Sequence, residues 1–431
     1  MATQSHRHFT TSGPSTSVTN YNNLSSLIGS WTGNETAARC VAATAGVIQN
    51  LSLRVTNSPG SGKSYLLTLR IGGVDTGLTL TLADTNTTAT SNDVSVLVAP
   101  GDLLTVSSVP SGTPAGWGQD DLGWEFIATN ARESTYINSN QTQNTTSTLR
   151  NGVFSDLGSV WTATAANVTN VVPIAGSLTQ GYVQLDSSPG AGKSYTFQFY
   201  KNGTLQDGTG GTVDTRIVIS DSATSGNLSY NLALNPGDTV YTECVPAGTP
   251  TGRAASYSYT FTAVRPQEAI LCGFSNNNPS TAGAQFNDIE DNANWSSTEG
   301  FSINQVIGGV TTFKVGKLYI LLSVAPGGAT SYTFDIRVSG ASPTDTPSVT
   351  VTGAATTGND KAQFTSVTST DTWGIRSVPA STPASTRVSW GMSQRMTSSA
   401  FSVSGAAPGF GDTPSGPSRL RPRIFGPGLA R

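Results

Sequence analysis

Two short segments of the sequence resemble nucleotide-binding loops. SPGSGKS (58–64) and SPGAGKS (188–194) place Gly-Lys-Ser after a glycine-rich turn. A P-loop needs G-x-x-x-x-G-K-[ST] between a strand and a helix, because backbone amides at the helix start must face the phosphates. Its first glycine would fall on Asn57 and Ser187, and the residues after each lysine are strand-like. We therefore predict turns between strands here, and we expect no nucleotide or other cofactor.

Histidines and carboxylates form no clear catalytic or metal-binding pattern. The two histidines, His6 and His8, lie near the start of the chain, so a Ser-His-Asp triad is not expected. Two acidic clusters could offer oxygen ligands to Ca²⁺, but neither has EF-hand spacing, and we predict solvated loops for both. No carboxylate pair indicates glycoside hydrolysis, so we expect neither an enzyme nor a bound metal. The clusters are Asp120, Asp121 and Glu125, and Asp288, Glu290 and Asp291.

The tryptophans fall into two groups. Trp31, Trp161 and Trp295 occupy matching positions of an internal repeat, so we predict that they fill the same core position in each copy. The other four have less regular positions, and one or two of them could lie exposed and stack on a host surface glycan. These candidate glycan contacts are Trp117, Trp124, Trp373 and Trp390.

Composition predicts a β-rich protein without a strong electrostatic field at its surface. Charged residues make up 11% of the 431 residues, the net charge is −3, and aromatic residues reach 8%. This balance argues against disorder and against nucleic-acid binding through the domain bodies. Three cysteines without C-x-x-C spacing (Cys40, Cys244 and Cys272) predict buried free thiols. We expect no secretory signal and no membrane span, because no long apolar run is present.

One segment pattern recurs three times along the chain. SPGSGKSYLLTLRIGG (58–73) matches SPGAGKSYTFQFYKNG (188–203) and, more loosely, APGGATSYTFDIRVSG (325–340). Each copy continues with a second strand-like block and then with VPSGTP, VPAGTP or VPASTP, and the first two copies share a PGD segment. The copies are spaced by 130 residues from Pro59 to Pro189 and by 137 from Pro189 to Pro326. That length suits a whole domain.

Within each copy the apolar residues alternate with polar ones. Tyr195, Phe197 and Phe199 should point to one face of a strand, and Asn202-Gly203 should form a tight hairpin turn. Turn signals recur roughly every 8–12 residues, which is typical of sandwiches and barrels. We therefore predict an all-β protein with three tandem antiparallel β-sandwich domains, jelly-roll-like in topology.

Domain boundaries follow from the repeat. We predict an N-terminal arm at 1–20, sandwich domains at 21–132, 133–267 and 268–400, and a Pro/Gly-rich C-terminal arm at 401–431. The C-terminal arm combines basic and apolar residues that could anchor it on a neighbouring molecule. These candidate assembly residues are Arg419, Leu420, Arg421, Arg423, Ile424, Phe425 and Leu429.

The blocks PGAGKSYTFQFYKNG, VISDSATSG, NPGD and VPAGTP resemble the jelly-roll repeats of tailed-bacteriophage virion proteins. The C-terminal RPRIFGPGLAR resembles the short tails that end many phage structural proteins. The resemblance implies a virion component (a capsid decoration, fibre or other tail or surface protein), made in the host cytoplasm, whose partners are copies of itself and other virion proteins. The third copy lacks the Lys and PGD positions, so a shared ligand role for them is not expected.

Three hypotheses follow. The first is a non-enzymatic virion structural protein that assembles through its sandwich faces and its arms. The second is a carbohydrate-binding adhesin or receptor-binding protein, and the third, more remote, is a glycan-cleaving enzyme. The repeat is compatible with three domains around a pseudo-threefold axis and also with a string of domains in a fibre.

Overall fold

In a computed structural model, the regular secondary structure of the described residues is almost entirely antiparallel β-strand, as predicted. It describes residues 3–10, 12–24, 31–155, 161–275, 277–290, 294–300, 305–306, 312–368 and 371–396. These residues belong to one compact unit that spans Met1–Thr397. Their strands form six sheets, which we group into three consecutive pairs.

The first pair is built from ten strands and one short helix, α1 (Glu35–Ala38). The strands are β1 (Thr3–Thr10), β2 (Asn20–Asn22), β3 (Cys40–Val41), β4 (Gly46–Val55), β5 (Gly60–Ile71), β6 (Val74–Asp84), β7 (Thr88–Thr90), β8 (Val96–Val98), β9 (Leu103–Ser111) and β10 (Asp120–Ala128). Sheet 1a has the order β1-β10-β4-β7, with β8 also on β4. Sheet 1b has the order β2-β9-β5-β6, with β3 also on β9.

The second pair repeats this plan. Its strands are β11 (Glu133–Thr142), β12 (Leu149–Asn151), β13 (Asn170–Val171), β14 (Gly176–Leu185), β15 (Gly190–Lys201), β16 (Thr204–Leu205), β17 (Ile217–Asp221), β18 (Ser225–Leu234), β19 (Thr239–Ala247) and β20 (Ala254–Ala263), with a 3-10 turn at Ala165–Asn167. Sheet 2a has the order β11-β20-β14-β18. Sheet 2b has the order β12-β19-β15-β16, with β17 also on β15 and β13 on β19.

The third pair has the same plan again. Its strands are β21 (Glu268–Phe274), β22 (Gln285–Asn287), β23 (Gln305–Val306), β24 (Phe313–Leu322), β25 (Ser331–Val338), β26 (Ser348–Thr352), β27 (Thr357–Val367), β28 (Thr372–Ala380) and β29 (Val388–Met396). Sheet 3a has the order β21-β29-β24-β27. Sheet 3b has the order β22-β28-β25-β26, with β23 also on β28.

The strand order is that of a jelly roll in all three pairs. If the strands off the main path of their sheets (β3, β8, β13, β17 and β23) are left out, each pair has eight strands. Counted along the chain, these have the order first–eighth–third–sixth in sheets 1a, 2a and 3a. In sheets 1b, 2b and 3b the order is second–seventh–fourth–fifth, and every pairing is antiparallel. This alternation of strands between two facing sheets is the double Greek key that defines the jelly roll. The predicted topology is therefore confirmed.

A separate hydrophobic cluster lies between the two sheets of each pair. The expected alternation produces it: Tyr195, Phe197 and Phe199 on β15 are all buried, while the polar residues between them face outward. Trp31, Trp161 and Trp295 are buried in the three clusters, which confirms their shared core position. The predicted hairpin is also present, because Asn202 and Gly203 both have positive φ, at 50° and 76°.

The predicted N-terminal arm is in part wrong. Residues 3–10 form β1, which pairs along its whole length with β10 at the edge of sheet 1a. A strand in this position completes the jelly roll, and its backbone pairing does not require the apolar alternation that the sequence lacks there. The boundaries predicted after residues 132 and 267 fall between the sheet pairs, and the division into independent domains stays a prediction.

Candidate functional site

The Gly-Lys-Ser segments are not the predicted turns between strands: they form the irregular starts of β5 and β15, where the pairing register shifts between Gly60 and Ser64 and between Gly190 and Ser194. The backbone N–H of Gly62 donates to Asp84 Oδ1 at 2.8 Å, and that of Gly192 donates to Asp221 Oδ1 at the same distance. Each glycine has positive φ, which only a residue without Cβ adopts freely. A carboxylate therefore occupies the place where a P-loop would bind phosphate, and an anion would be repelled there.

All three cysteines are free and buried, which confirms the sequence prediction. Burial raises the pKa of the Cys40 thiol to about 12 and raises those of Cys244 and Cys272 well above their usual value. Neutral thiols of this kind are unreactive.

The prediction for the acidic clusters is partly wrong. Asp120, Asp121 and Glu125 do not lie in a solvated loop: they belong to β10 and are buried. Asp120 faces the core, where its Oδ2 accepts hydrogen bonds from the indole N–H groups of Trp31 at 3.1 Å and Trp117 at 2.8 Å. In the second cluster, Asp288 is also buried, and Asp291 lies outside the described residues. Within the described ranges no group of three potential metal ligands occurs.

The tryptophans predicted as possible glycan contacts are buried, so that prediction is wrong. Each is at most 2% exposed, and the four are Trp117, Trp124, Trp373 and Trp390. Trp390 donates its indole N–H to the Ile289 carbonyl at 2.8 Å, and Trp124 is covered by the ring of His6 at 4.2 Å. Three of them lie on strands and one precedes β10, and all face the cores because burying a large aromatic surface is favourable.

The predicted assembly residues of the C-terminal arm lie outside the described residues. They are Arg419, Leu420, Arg421, Arg423, Ile424, Phe425 and Leu429.

What the structure does reveal is a set of equivalent contacts between successive pairs. Strand β3 and the residues after it lie against the outer face of sheet 2a. The backbone N–H of Val41 donates to Ser256 Oγ at 3.0 Å, and the hydroxyl groups of Thr44 and Thr260 are 2.8 Å apart. Thr260 also donates to the Ala43 carbonyl at 3.0 Å. The first and second pairs are thus joined by a buried, hydrogen-bonded interface of small residues.

The second and third pairs meet in the same way. Strand β13, which corresponds to β3, lies against the outer face of sheet 3a. A Cβ atom on Gly391 would be 2.0 Å from the carbonyl oxygen of Val171, so glycine is required for this close backbone approach. The Tyr136 hydroxyl accepts from the backbone N–H of Ile270 at 2.8 Å and donates to its carbonyl at 3.0 Å.

The PGD segments belong to these interfaces. Gly101 and Gly237 have positive φ, and each turn lies against a tyrosine ring of the following pair, Tyr182 and Tyr319 respectively. The turn aspartates Asp102 and Asp238 each accept a backbone N–H at 2.8 Å. The third copy has no PGD segment, but it has the same turn hydrogen bond, because Asp371 accepts the backbone N–H of Thr368 at 2.8 Å.

The third pair in turn lies beside the first. Strand β23, the counterpart of β3 and β13, lies beside β10, and β1 lies beside β29. The face of sheet 1a here is more charged than its counterparts. Arg54 is 3.6 Å from Asp121, and Glu125 Oε2 accepts from the side chains of Gln49 at 3.2 Å and Asn50 at 2.7 Å. The contacts therefore join the three pairs in a closed cycle. This agrees with three domains around a pseudo-threefold axis and not with a string of domains in a fibre.

A small cavity lies where the first strands of the three pairs meet. It has a volume of about 30 Å³, enough for one or two water molecules, and its walls include His6, Tyr136 and Cys272, one from each pair. His6 stacks on Trp124 with an angle of 14° between the rings, and its buried Nε2 has no hydrogen-bond partner among the described residues. Burial lowers the pKa of His6 to about 3, so the ring is neutral at physiological pH. The neighbouring β1 side chain of Gln4 accepts the backbone N–H of Thr135 at 3.0 Å.

Sequence reasoning did not identify these interfaces. One signal was present: the eighth strands carry small residues on the outward face, Ser256, Ser258 and Thr260 on β20 and Ser389, Gly391 and Ser393 on β29. Small outward residues on a central strand indicate close packing of another backbone. They are recognisable only once the strand order is known.

Comparison with known proteins adds little. No protein-family model matches the chain, and no curated protein matches it in sequence. Among solved structures, the VP2 subviral particle of infectious bursal disease virus aligns over 92% of this chain and 81% of that chain, at 10% identity and a TM-score of 0.18. A TM-score of 0.18 does not define a shared fold, so the jelly-roll assignment rests on the strand order. No helix in the described part of the chain is long and apolar enough to span a membrane.

Proposed function

We propose that the chain is a non-enzymatic structural protein of a virus particle, which assembles with copies of itself and with other virion proteins. The observation that carries the proposal is the cycle of three jelly rolls joined by equivalent contacts. Jelly rolls recur in capsid and lectin domains, and three jelly rolls joined by buried contacts are suited to packing in a shell or a tail.

The chemistry of the described residues supports a structural role. In the nucleotide-like segments the backbone N–H groups of Gly62 and Gly192 are bound by the carboxylates of Asp84 and Asp221, and the three thiols are buried. Buried carboxylates such as Asp120 bind core side chains and do not line a cleft. The finer proposal is a decoration, fibre or tail-surface protein of a tailed bacteriophage, which the resemblance of the repeats supports.

The proposal assigns residues 401–431 to attachment on a neighbouring molecule. The test is to produce particles with the full chain and with a chain that ends at residue 400, and to measure the amount of each in purified particles by quantitative mass spectrometry. We expect the truncated chain to keep its β-sheet circular dichroism spectrum and its thermal unfolding midpoint, but to be lost from particles.

A variant with alanine at Arg419, Arg421 and Arg423 tests the basic side chains without shortening the chain. Normal incorporation of both variants would contradict the role of the C-terminal segment. Absence of the full chain from particles would contradict the virion assignment itself.

A further inference from the structure

The outer face of sheet 2b differs from the outer faces of sheets 1b and 3b. In the other two sheets, one arginine on the fourth strand is held by a glutamate: Arg70 Nε is 2.8 Å from Glu35 Oε1, and Arg337 Nε is 2.7 Å from Glu299 Oε1. The register of the sheets places Tyr200 at the equivalent position of β15. The outer face of sheet 2b therefore lacks the arginine–glutamate ion pair that covers the equivalent face of sheets 1b and 3b.

Cross-strand pairs on β15 and β19 line this face instead. The rings of Tyr200 and Tyr241 stack 4.8 Å apart with an angle of 10° between their planes. In the neighbouring cross-strand pair on the same face, Gln198 Nε2 donates to Glu243 Oε1 at 2.9 Å. Glu243 is also 2.7 Å from the guanidinium of Arg150. Aromatic rings thus lie beside a fixed row of planar polar groups.

The connection after the fourth strand is longest in the second pair, where it adds a wall to this face; in the third pair β25 and β26 are joined by residues 339–347. β5 and β6 are joined by a tight Gly72-Gly73 turn, whereas the chain between β15 and β17 makes an additional hairpin over residues 204–216. Asp207 orders its tip by accepting the Thr209 hydroxyl at 2.7 Å, and the buried Thr215 donates to the Gln206 carbonyl at 2.8 Å. Ordered loops set on a rigid scaffold commonly carry binding functions.

The additional hairpin and the sheet enclose an open groove of about 430 Å³. Its apolar part is formed by Val245 and by Val218, which is 56% exposed. Its polar part is formed by Gln198 together with Asp214 and Arg216, whose side chains form an ion pair of 2.9 Å.

We propose that this groove binds a neutral saccharide. A sugar presents an apolar C–H face and a ring of hydroxyl groups, and the groove offers the exposed Val218 and the half-buried Val245 beside an amide, a carboxylate and a guanidinium. Amides, carboxylates and guanidinium groups hold neighbouring hydroxyl groups through paired hydrogen bonds. The charges of Asp214 and Arg216 compensate each other, as do those of Glu243 and Arg150, so the site favours an uncharged ligand over an anion.

The test is binding of the full chain to a printed array of neutral hexose oligosaccharides (glucans, mannans and galactans) and charged polysaccharides, followed by calorimetric titration of any hit. Asp214→Ala and Arg216→Ala are suitable variants, because both side chains are about half exposed and their loss should not unfold the protein. We expect at least tenfold weaker binding in each. The matched control is Thr333→Ala, on the outer face of sheet 3b at the position that corresponds to Thr196, where affinity should not change.

Any of three binding results would overturn the proposal: no neutral oligosaccharide bound at millimolar concentration, unchanged affinity in both groove variants, or binding of charged polysaccharides only. Capture of a virion protein by this face, lost in the same variants, would also overturn it and assign the groove to assembly. None of these results decides the proposed structural role, which is tested separately by incorporation into particles.

Discussion

The hydroxyl group of Tyr195 donates a hydrogen bond to the main-chain oxygen of Thr251 at 3.1 Å. It ties the fourth strand of the second jelly roll to the loop before the eighth strand. The same bond occurs from Tyr65 to Ala115 at 3.2 Å and from Tyr332 to Ala384 at 3.1 Å. The tyrosine of each Ser-Tyr pair therefore contacts the chain just after the downstream VP-x-x-TP segment, which explains why the two patterns recur together.

Replacement of Tyr195 by phenylalanine should destabilise the protein by about 1 kcal/mol, because the ring stays buried while the hydroxyl bond to Thr251 is lost. The midpoint of urea unfolding, followed by circular dichroism, measures the loss. Ser229→Ala, an exposed change on β18, serves as the control and should leave the midpoint unchanged. An unchanged midpoint in the Tyr195 variant would show that water replaces the hydroxyl bond at no cost.

Asp120 holds two buried indole groups, so its loss should be costly. Asp120→Ala leaves the N–H groups of Trp31 and Trp117 without this acceptor, and we expect about 2–4 kcal/mol of destabilisation. Asp120→Asn keeps one acceptor oxygen and should cost less. Tryptophan fluorescence during urea unfolding provides the measurement, and equal stability of the two variants would contradict the assigned role of the carboxylate.

His6 should make the protein sensitive to acid. Burial lowers the pKa of His6 from 6.5 to about 3, so the folded state favours the neutral ring. Stability should therefore decrease as the pH falls from about 6.5 towards 3, by up to about 1.4 kcal/mol per pH unit. His6→Phe keeps an aromatic ring on Trp124 without a titrating group, and the Glu290 side chain in the same cavity is present in both proteins.

The measurement is the difference in unfolding free energy between the wild type and His6→Phe across this pH range. The difference should shift in favour of the variant as the pH falls. A difference that does not vary with pH would mean that water reaches the imidazole and that it titrates normally.

Gly391 should be essential for the interface between the second and third pairs. Gly391→Ala places a methyl group against the Val171 carbonyl, and relief of that overlap requires the two backbones to separate. We expect a loss of more than about 2 kcal/mol, together with new protease cleavage between residues 263 and 268. Gly33→Ala is the control, because its Cβ would meet nothing within 4 Å. Unchanged thermal unfolding and proteolysis would rule out this interface.

Local patterns in the sequence determined the repeated unit. Alternating side chains such as Tyr195, Phe197 and Phe199 predicted the core-facing strands, and the Asn202-Gly203 pair predicted its turn. Both signals depend on neighbours along the chain, so they are readable without the fold. The incomplete match to a P-loop predicted turns, but the segments are the irregular starts of β5 and β15, because the pairing partners that extend these strands are distant in sequence.

Only the tertiary structure decided where the copies meet and which polar or aromatic side chains are accessible. Trp124 and Asp120 carry no local mark of burial, because burial depends on strands far apart in the chain packing on one core. The close approach of Val171 to Gly391 and the groove beside Arg216 likewise arise from segments that are distant in sequence. The sequence thus determined the jelly-roll unit, and long-range packing determined its surfaces, because periodicity specifies which face of a strand is apolar but not what that face will contact.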